Sequence, residues 1–240
     1  MKIALIGYGK MGKAIESIAL SRGHEIVTRL DLSNSNEWQS EALRTAEVAI
    51  EFTGPESAPV NIKNCIDRSL PVVSGSTGWL SAWQEINQYC QEKNETLLYA
   101  SNFSVGVNIF FAVNKQLAKL MATQPDYQPV IEEIHHTEKK DAPSGTAITL
   151  AEQLIEQSPK LARWTMDAAG DPAELTIRSE RTEGVPGTHR VTYSSPIDTL
   201  EIVHTAHNRI GFATGAVLAA EFLAGKKGVF TMADVLGIGT

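Results

Sequence analysis

The chain has 240 residues, 42% of them hydrophobic and 20% charged, which is the balance of a folded globular protein with a sizeable core and excludes a disordered chain. Twenty-one Lys and Arg against 28 Asp and Glu leave a net charge of -7. That argues against a nucleic-acid partner, which calls for a basic surface, while a local basic pocket for a small anion stays open. Cys65 and Cys90 stand in no CxxC pattern, so neither a disulfide framework nor a zinc knuckle is expected, and free thiols suit a reducing compartment. The first apolar run is too short for a signal peptide, and the longest, Gly211 to Gly225, is broken by Glu221. The expectation is a soluble cytoplasmic protein with no membrane partner.

In chain order, Lys2 to Ile6 reads as a short buried strand, followed at once by Gly7-Tyr8-Gly9-Lys10-Met11-Gly12. Ala14, Ile15, Ile18 and Ala19 recur at helical spacing and Gly23 ends that helix. Glu25 to Leu30 is a second strand, finishing at Asp31, and 33–40 is a polar loop. Glu47 to Phe52 is a third strand, a helix runs through Ile62 and Ile66, and Pro71 to Ser74 is a fourth strand. Gly75-Ser76-Thr77-Gly78 is a tight turn. Ser81 with Gln84 reads as a capping box opening a helix that runs to Lys93, and Leu97 to Ala100 is a strand. Strands alternating with helices predict an α/β fold with a Rossmann-type doubly wound parallel sheet.

The pattern changes after Phe103. Val105 to Met121 reads as a helix, Val130 to His135 as a strand and Thr146 to Gln157 as a helix. Leu175 to Ser179, Val191 to Ser194 and Thr199 to Thr205 are strands with no helices between them. This predicts a smaller α+β domain with a mixed sheet. An apolar helix, Phe212 to Leu223, precedes a short tail.

Gly7-x-Gly9-x-x-Gly12 between a strand and a helix is the context that the dinucleotide fingerprint requires. The first glycine permits the turn, the second lets backbone approach a pyrophosphate, and the third allows close helix packing. The helix start offers N–H groups to the phosphates. Asp31, at a strand end, can accept hydrogen bonds from ribose hydroxyls and disfavours a 2′-phosphate. Arg29 and Lys10 lie near enough in sequence to blur that choice, so NADH is favoured and NADPH stays open.

The run from Glu133 to Thr146 gathers His135, His136, Lys139, Lys140 and a helix-capping Ser144-Gly145-Thr146. Chemically this is an anion site with a proton donor: hydroxyl and N–H groups at a helix start, a lysine point charge and a histidine that titrates near neutrality. Bland readings exist for each part. Lys140 reads as a solvated charge, and Ser144 could be only an N-cap. A metal is not expected, because adjacent residues on a strand face opposite ways and no HExxH or cysteine partner accompanies the histidines.

These motifs together resemble the dihydrodipicolinate reductase family over nearly the whole chain. The resemblance rests on the glycine-rich opening ending in Lys10-Met11-Gly12, Glu51-Phe52-Thr53-Gly54-Pro55 and Gly75-Ser76-Thr77-Gly78. It continues through Asn102-Phe103-Ser104-Val105-Gly106-Val107-Asn108, the His135-His136-x-x-Lys139-x-Asp141-Ala142-Pro143-Ser144-Gly145-Thr146 run and Met232 to Gly237. It implies a catalytic acid/base at His135, a proton donor at Lys139, and substrate contacts at His136, Ser144, Gly145 and Thr146. Cofactor contacts are implied at Gly7, Tyr8, Gly9, Lys10, Met11 and Gly12, at Asp31, at Gly75, Ser76 and Thr77, and at Ala100, Ser101, Asn102 and Phe103.

The resemblance also implies a dinucleotide-binding domain at 1–103 completed by 213–240, a substrate-binding and oligomerisation domain at 104–212, and a homotetramer. The Gly loop is one residue shorter than the family's usual form, and Ser76 replaces a common Thr. Arg181 and His189 sit in a run whose glycine spacing departs from the family's, so no role is carried to either, and Pro186-Gly187 reads as a turn.

The implied reaction is NADH- or NADPH-dependent reduction of a cyclic imine dicarboxylate, 4-hydroxy-tetrahydrodipicolinate or its dehydrated form, in lysine and diaminopimelate biosynthesis. Hydride addition leaves negative charge on the conjugated ring, to be quenched by His135, Lys139 or the two together. Two other readings are another two-domain dehydrogenase of amino or keto acids and a non-catalytic NADH-binding sensor.

Overall fold

A computed structural model of the chain describes residues 1–31, 34, 38–167, 170–208 and 210–238. Half of the expected polar loop, residues 33 and 35–37, lies outside them. The chain forms two compact units, Met1–Val105 with Ile210–Thr240, and Gly106–Arg209. Their boundaries fall two or three residues from the divisions expected after Phe103 and Phe212.

The first unit is built on a six-stranded sheet: β1 (Lys2–Ile6), β2 (Glu25–Leu30), β3 (Val48–Glu51), β4 (Val72–Ser74), β5 (Thr96–Tyr99) and β11 (Gly228–Phe230). The order is β11-β5-β4-β3-β1-β2, and every pairing is parallel. Residues of β1 alternate between two buried faces. Ile3 and Leu5 join one core with Ile15 and Ala19 of α1 (Lys10–Ser21), while Ala4 and Ile6 join another with Ile62 of α3 (Ala58–Ile66) and Ile86 of α4 (Trp83–Glu92). Burial on both faces is why β1 is an apolar run without polar alternation. The core also takes in α7 (Ile210–Phe222), whose Ala213, Ala216, Val217, Ala219 and Ala220 are all buried. A side chain at Gly215 would place its Cβ 1.7 Å from the carbonyl oxygen of Phe103, so the smallest residue is what lets α7 lie against that backbone.

Three features differ from expectation. A four-residue helix α2 (Glu41–Arg44), capped by the Ser40 hydroxyl, precedes β3. Ser81 is not an N-cap: Leu80–Ala82 is a 3-10 turn running straight into α4, whose N-cap, Ala82, has no side-chain hydrogen bond. The tail after α7 is structured, with β11 extending the sheet beside β5 and α8 (Met232–Leu236) opened by a Thr231–Asp234 capping box. A three-residue strand is too short to show a period, so pairing alone defines β11.

The second unit carries α5 (Val105–Met121), β6 (Gln128–His135), α6 (Gly145–Gln157), β7 (Arg163–Thr165), β8 (Glu174–Arg181), β9 (Gly187–Ser194) and β10 (Thr199–Ala206). Its sheet runs β10-β9-β6-β8-β7 and is mixed: β9 is antiparallel to both β10 and β6, whereas β8 is parallel to β6 and β7. Ile131, Ile177 and Val191 of the sheet meet Phe110 of α5 and Leu150 and Leu154 of α6 in one core. Asn114 of α5 is buried, and its amide nitrogen donates to the Leu150 carbonyl and to Gln153 Oε1.

Candidate active site

Four of the loops singled out in the sequence follow the C-terminal ends of parallel strands: Gly7–Gly12 after β1, Asp31 after β2, Gly75–Thr77 after β4 and Ala100–Phe103 after β5. This is the edge of an open parallel sheet where ligands bind. The three glycines of the first loop do three different things. Gly7 has φ +94, and its N–H donates to the Leu30 carbonyl at 2.7 Å, so the turn is tied to the end of β2. A Cβ on Gly12 would lie 2.3 Å from the Gly7 carbonyl oxygen, whereas one on Gly9 would meet nothing within 4 Å. Gly12 is therefore needed for packing, and Gly9 leaves open space at the start of α1.

Gly9 is also the N-cap of α1, with no side-chain cap and no acid in the first turn. Its N–H donors carry no side-chain competitor for an anion, and these features fit a dinucleotide pyrophosphate. Tyr8, in the same loop, hydrogen-bonds Glu16 through its hydroxyl and lies under the guanidinium of Arg29.

The second loop is organised by Glu51, fully buried at the end of β3. Its carboxylate accepts from the hydroxyls of Ser74 and Ser76 at 2.6 and 2.7 Å and from the Thr53 N–H at 2.9 Å. Ser76 also accepts from the Thr53 N–H at 2.8 Å, so its hydroxyl is occupied in joining two strand ends. A Cβ on Gly75 would lie 2.1 Å from the Phe52 ring. Phe52 packs in turn against buried Phe103 with ring centroids 5.6 Å apart.

The second unit holds the other cluster. Ile131, Glu133 and His135 alternate onto the buried face of β6. Strand register then brings the partners in: Glu133 lies opposite Ser179 of β8 and His189 of β9, and His135 lies opposite Arg181. Glu133 is 1% exposed. It accepts from the Ser144 N–H at 3.1 Å, Ser179 Oγ at 2.8 Å and Arg181 Nη2 at 3.2 Å, with His189 Nε2 at 3.7 Å. Burial pushes its carboxyl up, but His189, Ser144 and Ser179 outweigh this and hold it well below the usual carboxylate range.

His135 behaves in the opposite sense. Burial, then the neighbouring charges of His189, Lys139 and Arg181, push its imidazole down to about 4 against the pull of Glu133. Its Nδ1 lies 3.5 Å from Glu133 Oε2, and its ring stands edge-on to that of His189 with centroids 5.0 Å apart. A Cβ on Gly187 would come within 3.1 Å of His135 Nε2. Gly187 is thus the first residue of β9 and the floor under the His135 ring, not part of a turn. The turn sits three residues earlier, at Glu183-Gly184.

Lys139 Nζ donates to Asp141 Oδ1 at 2.9 Å and Oδ2 at 2.7 Å. The guanidinium of Arg181 holds the backbone of the same segment, reaching the carbonyls of Asp141 at 2.6 Å and Lys139 at 3.4 Å. Ser144 is the N-cap of α6: its buried hydroxyl accepts from the Ala147 N–H at 3.2 Å and lies 3.1 Å from His189 Nε2. A Cβ on Gly145 meets nothing within 4 Å, so this helix start, like that of α1, is open.

Glu133, His135 and His189 could each offer a ligand atom within 4.8 Å of the others. The carboxylate is already filled by hydrogen-bond donors, and Arg181 supplies the cation. The group is therefore built as an ion cluster and is ill suited to a metal. Glu133, Arg181, His189 and Gly187 are site residues that sequence reading left without a role. Glu133 was findable, two residues before His135 on the same strand face. The other three are brought in by strand register.

A parallel nucleotide-type sheet with a glycine loop on β1, together with a separate mixed-sheet unit carrying the lysine and histidine cluster, defines a two-unit nicotinamide-dependent oxidoreductase. Residues 1–103 match the family model described as "Dihydrodipicolinate reductase, N-terminus", and residues 106–236 match "Dihydrodipicolinate reductase, C-terminus". The chain is 51% identical over 236 residues to a 4-hydroxy-tetrahydrodipicolinate reductase of Christiangramia forsetii, covering 98% of each chain. The chain belongs to the dihydrodipicolinate reductase family.

Among solved structures, a dipicolinate-bound dihydrodipicolinate reductase from Paenisporosarcina sp. superposes with a TM-score of 0.76 at 21% identity, over 98% of both chains. An amine dehydrogenase from Mycobacterium smegmatis superposes with a TM-score of 0.61 at 12% identity, over 97% of this chain and 95% of that one. At these identities the two share the fold. No helix among the described residues is long and apolar enough to cross a membrane.

Proposed function

We propose that the protein reduces 4-hydroxy-tetrahydrodipicolinate, through the conjugated imine left by loss of water, to tetrahydrodipicolinate with NADH or NADPH, in lysine and diaminopimelate biosynthesis. The observation that carries the reading is the Lys139 segment itself. In a chain 51% identical to a reductase of that name, an ammonium group and an open helix start lie beside a buried ion cluster.

When bound, the reduced nicotinamide supplies a hydride. The first unit's part is to hold it, through Gly7 to Gly12 at the start of α1, Asp31 at the ribose, and the loops at Gly75 to Thr77 and Ala100 to Phe103. The hydroxyl of Ser76 is occupied by Glu51 and Thr53, so backbone groups of that loop are the ones to contact cofactor.

In the second unit, the N–H groups of Gly145 and Thr146 and the ring of His136 receive the substrate carboxylates, with Ser144 fixing the helix start. Hydride addition leaves an electron pair on the ring, and Lys139 gives it a proton. With its imidazole near 4, His135 is uncharged at neutral pH. It supports the site as a neutral ring, and the ammonium of Lys139 is the donor. A homotetramer and a cytoplasmic location are part of the same reading.

The direct test is an assay on the product of the preceding synthase reaction, followed by loss of reduced-nicotinamide absorbance, with NADH and NADPH in parallel, beside controls in which aspartate and homoserine are offered with the oxidised dinucleotides and read by gain of that absorbance. Turnover of the cyclic imine alone is expected. Turnover only of an open-chain amino acid would replace this reading with that of another dehydrogenase.

A further inference from the structure

The nucleotide reading leaves one strongly bound group unexplained. Arg29, two residues before Asp31 on β2, is a cation at the end of that strand, where an arginine can accept the 2′-phosphate of NADPH. Its guanidinium is already bound. Arg29 Nε donates to Glu16 Oε2 at 3.2 Å and Nη2 to Glu16 Oε1, which is the two-point pairing that a phosphate would otherwise use. Glu16 is fixed in turn by the hydroxyl of Tyr8, and the Arg29 guanidinium lies 5.6 Å from the centre of the Tyr8 ring. Tyr8 is part of the Gly7–Gly12 loop, and Gly7 is bonded to Leu30 next to Arg29. The three side chains thus lie where the glycine loop meets the end of β2. The Glu16 side chain is 14% exposed and that of Arg29 40%, so the carboxylate is enclosed while the guanidinium keeps a solvent-facing side.

We propose that Glu16 is a specificity-determining residue: by holding Arg29 against Tyr8 it withholds the one cation on β2 from a 2′-phosphate, and so directs the enzyme to NADH. The proposal rests on the assignment of the Gly7–Gly12 loop to a dinucleotide. It adds a cause for the preference that Asp31 alone does not supply.

The test is the affinity of the substrate-free protein for each dinucleotide, by calorimetry or by quenching of tryptophan fluorescence. The parent is expected to bind NADH at least about tenfold more tightly than NADPH, the size of one charge-assisted hydrogen bond. E16Q is expected to tighten NADPH by about tenfold while NADH changes by less than about threefold. Adding R29L to E16Q should return NADPH to the parent affinity.

Equal parent affinities for the two dinucleotides would overturn the proposal and need no variant. So would an E16Q protein of parental melting temperature with no gain for NADPH, or a gain that survives R29L. A parent that binds neither dinucleotide is a different outcome, and would instead remove the nucleotide reading on which the proposal stands.

Discussion

Arg181 Nη2 lies 3.2 Å from Glu133 Oε1 and 2.6 Å from the carbonyl oxygen of Asp141. One guanidinium therefore neutralises the buried carboxylate of β6 and fastens the segment that carries Lys139. Neither residue needs to touch substrate for this arrangement to matter. Replacing Arg181 with Met leaves an enclosed carboxylate without its cation, at a cost of about 3 kcal/mol. In a protein of this size that lowers the melting temperature by roughly 6–12 °C. Turnover should fall as well, because the Lys139 segment loses two of its anchors. R181K, which keeps the charge but not the planar fork, should recover more stability than turnover. Thermal melts and steady-state rates on the two variants check this, and equal recovery of both would argue against a positioning role.

The depressed imidazole of His135 makes a signed prediction about pH. In the unfolded chain this histidine takes up a proton below about 6.5, whereas in the fold it does so only near 4. Between those limits the unfolded state binds more protons, so stability is lost as the pH falls through that window. Glu133, held below its ordinary range, acts in the same direction at lower pH. Urea midpoints measured from pH 7 to pH 4 should decline, and H135N should flatten the upper part of that decline.

Lys139 is expected to matter for chemistry and little for nucleotide binding. K139A should lower kcat by about 10²–10⁴, the usual contribution of a positioned general acid, with the affinity for NADH within about twofold of the parent. Asp141 holds both of its contacts on the lysine, so D141N should give a smaller loss. A K139A enzyme with parental kcat would remove Lys139 from the proton-donor role.

The glycines of the first loop should separate fold from function. G12A forces a Cβ to 2.3 Å from the Gly7 carbonyl oxygen, and strain of this kind costs about 1–3 kcal/mol, read as a lower melting temperature. G9V points into open space. It should lower the melting temperature only by the small cost of a poorer N-cap residue, and weaken NADH binding by about tenfold or more, by occupying the approach to the helix start. A G9V protein that binds NADH normally would move the pyrophosphate away from this loop.

The nucleotide unit was the more legible half in sequence. A strand buried on both faces writes itself as an apolar run, as Lys2 to Ile6 does, and the edge strand Glu25 to Leu30 likewise begins and ends where the sequence puts it. The glycine loop is local too, because a turn, a helix start and a close approach are all set within six residues. The second unit's central run was legible as a concentration of unusual chemistry between Glu133 and Thr146. Short pieces escaped: β7, β11 and α8 are three to five residues each, below the length at which a period can be read.

By itself the sequence determined everything that depends on neighbours along the chain: the parallel α/β pattern, the helix starts in the Gly7–Gly12 loop and at Ser144-Gly145-Thr146, and the grouping of His135, Lys139 and Ser144. Only the tertiary structure decided which distant residues complete that group. His189 and Arg181 reach Glu133 and His135 because β9 and β8 flank β6 in one particular register, and a shift of a single residue would turn them to the opposite face. The fold then set the charges: hydrogen-bond donors hold Glu133 ionised against its burial, and burial keeps His135 neutral, since the cost of a charge depends on the surrounding donors and dielectric and not on the order of residues.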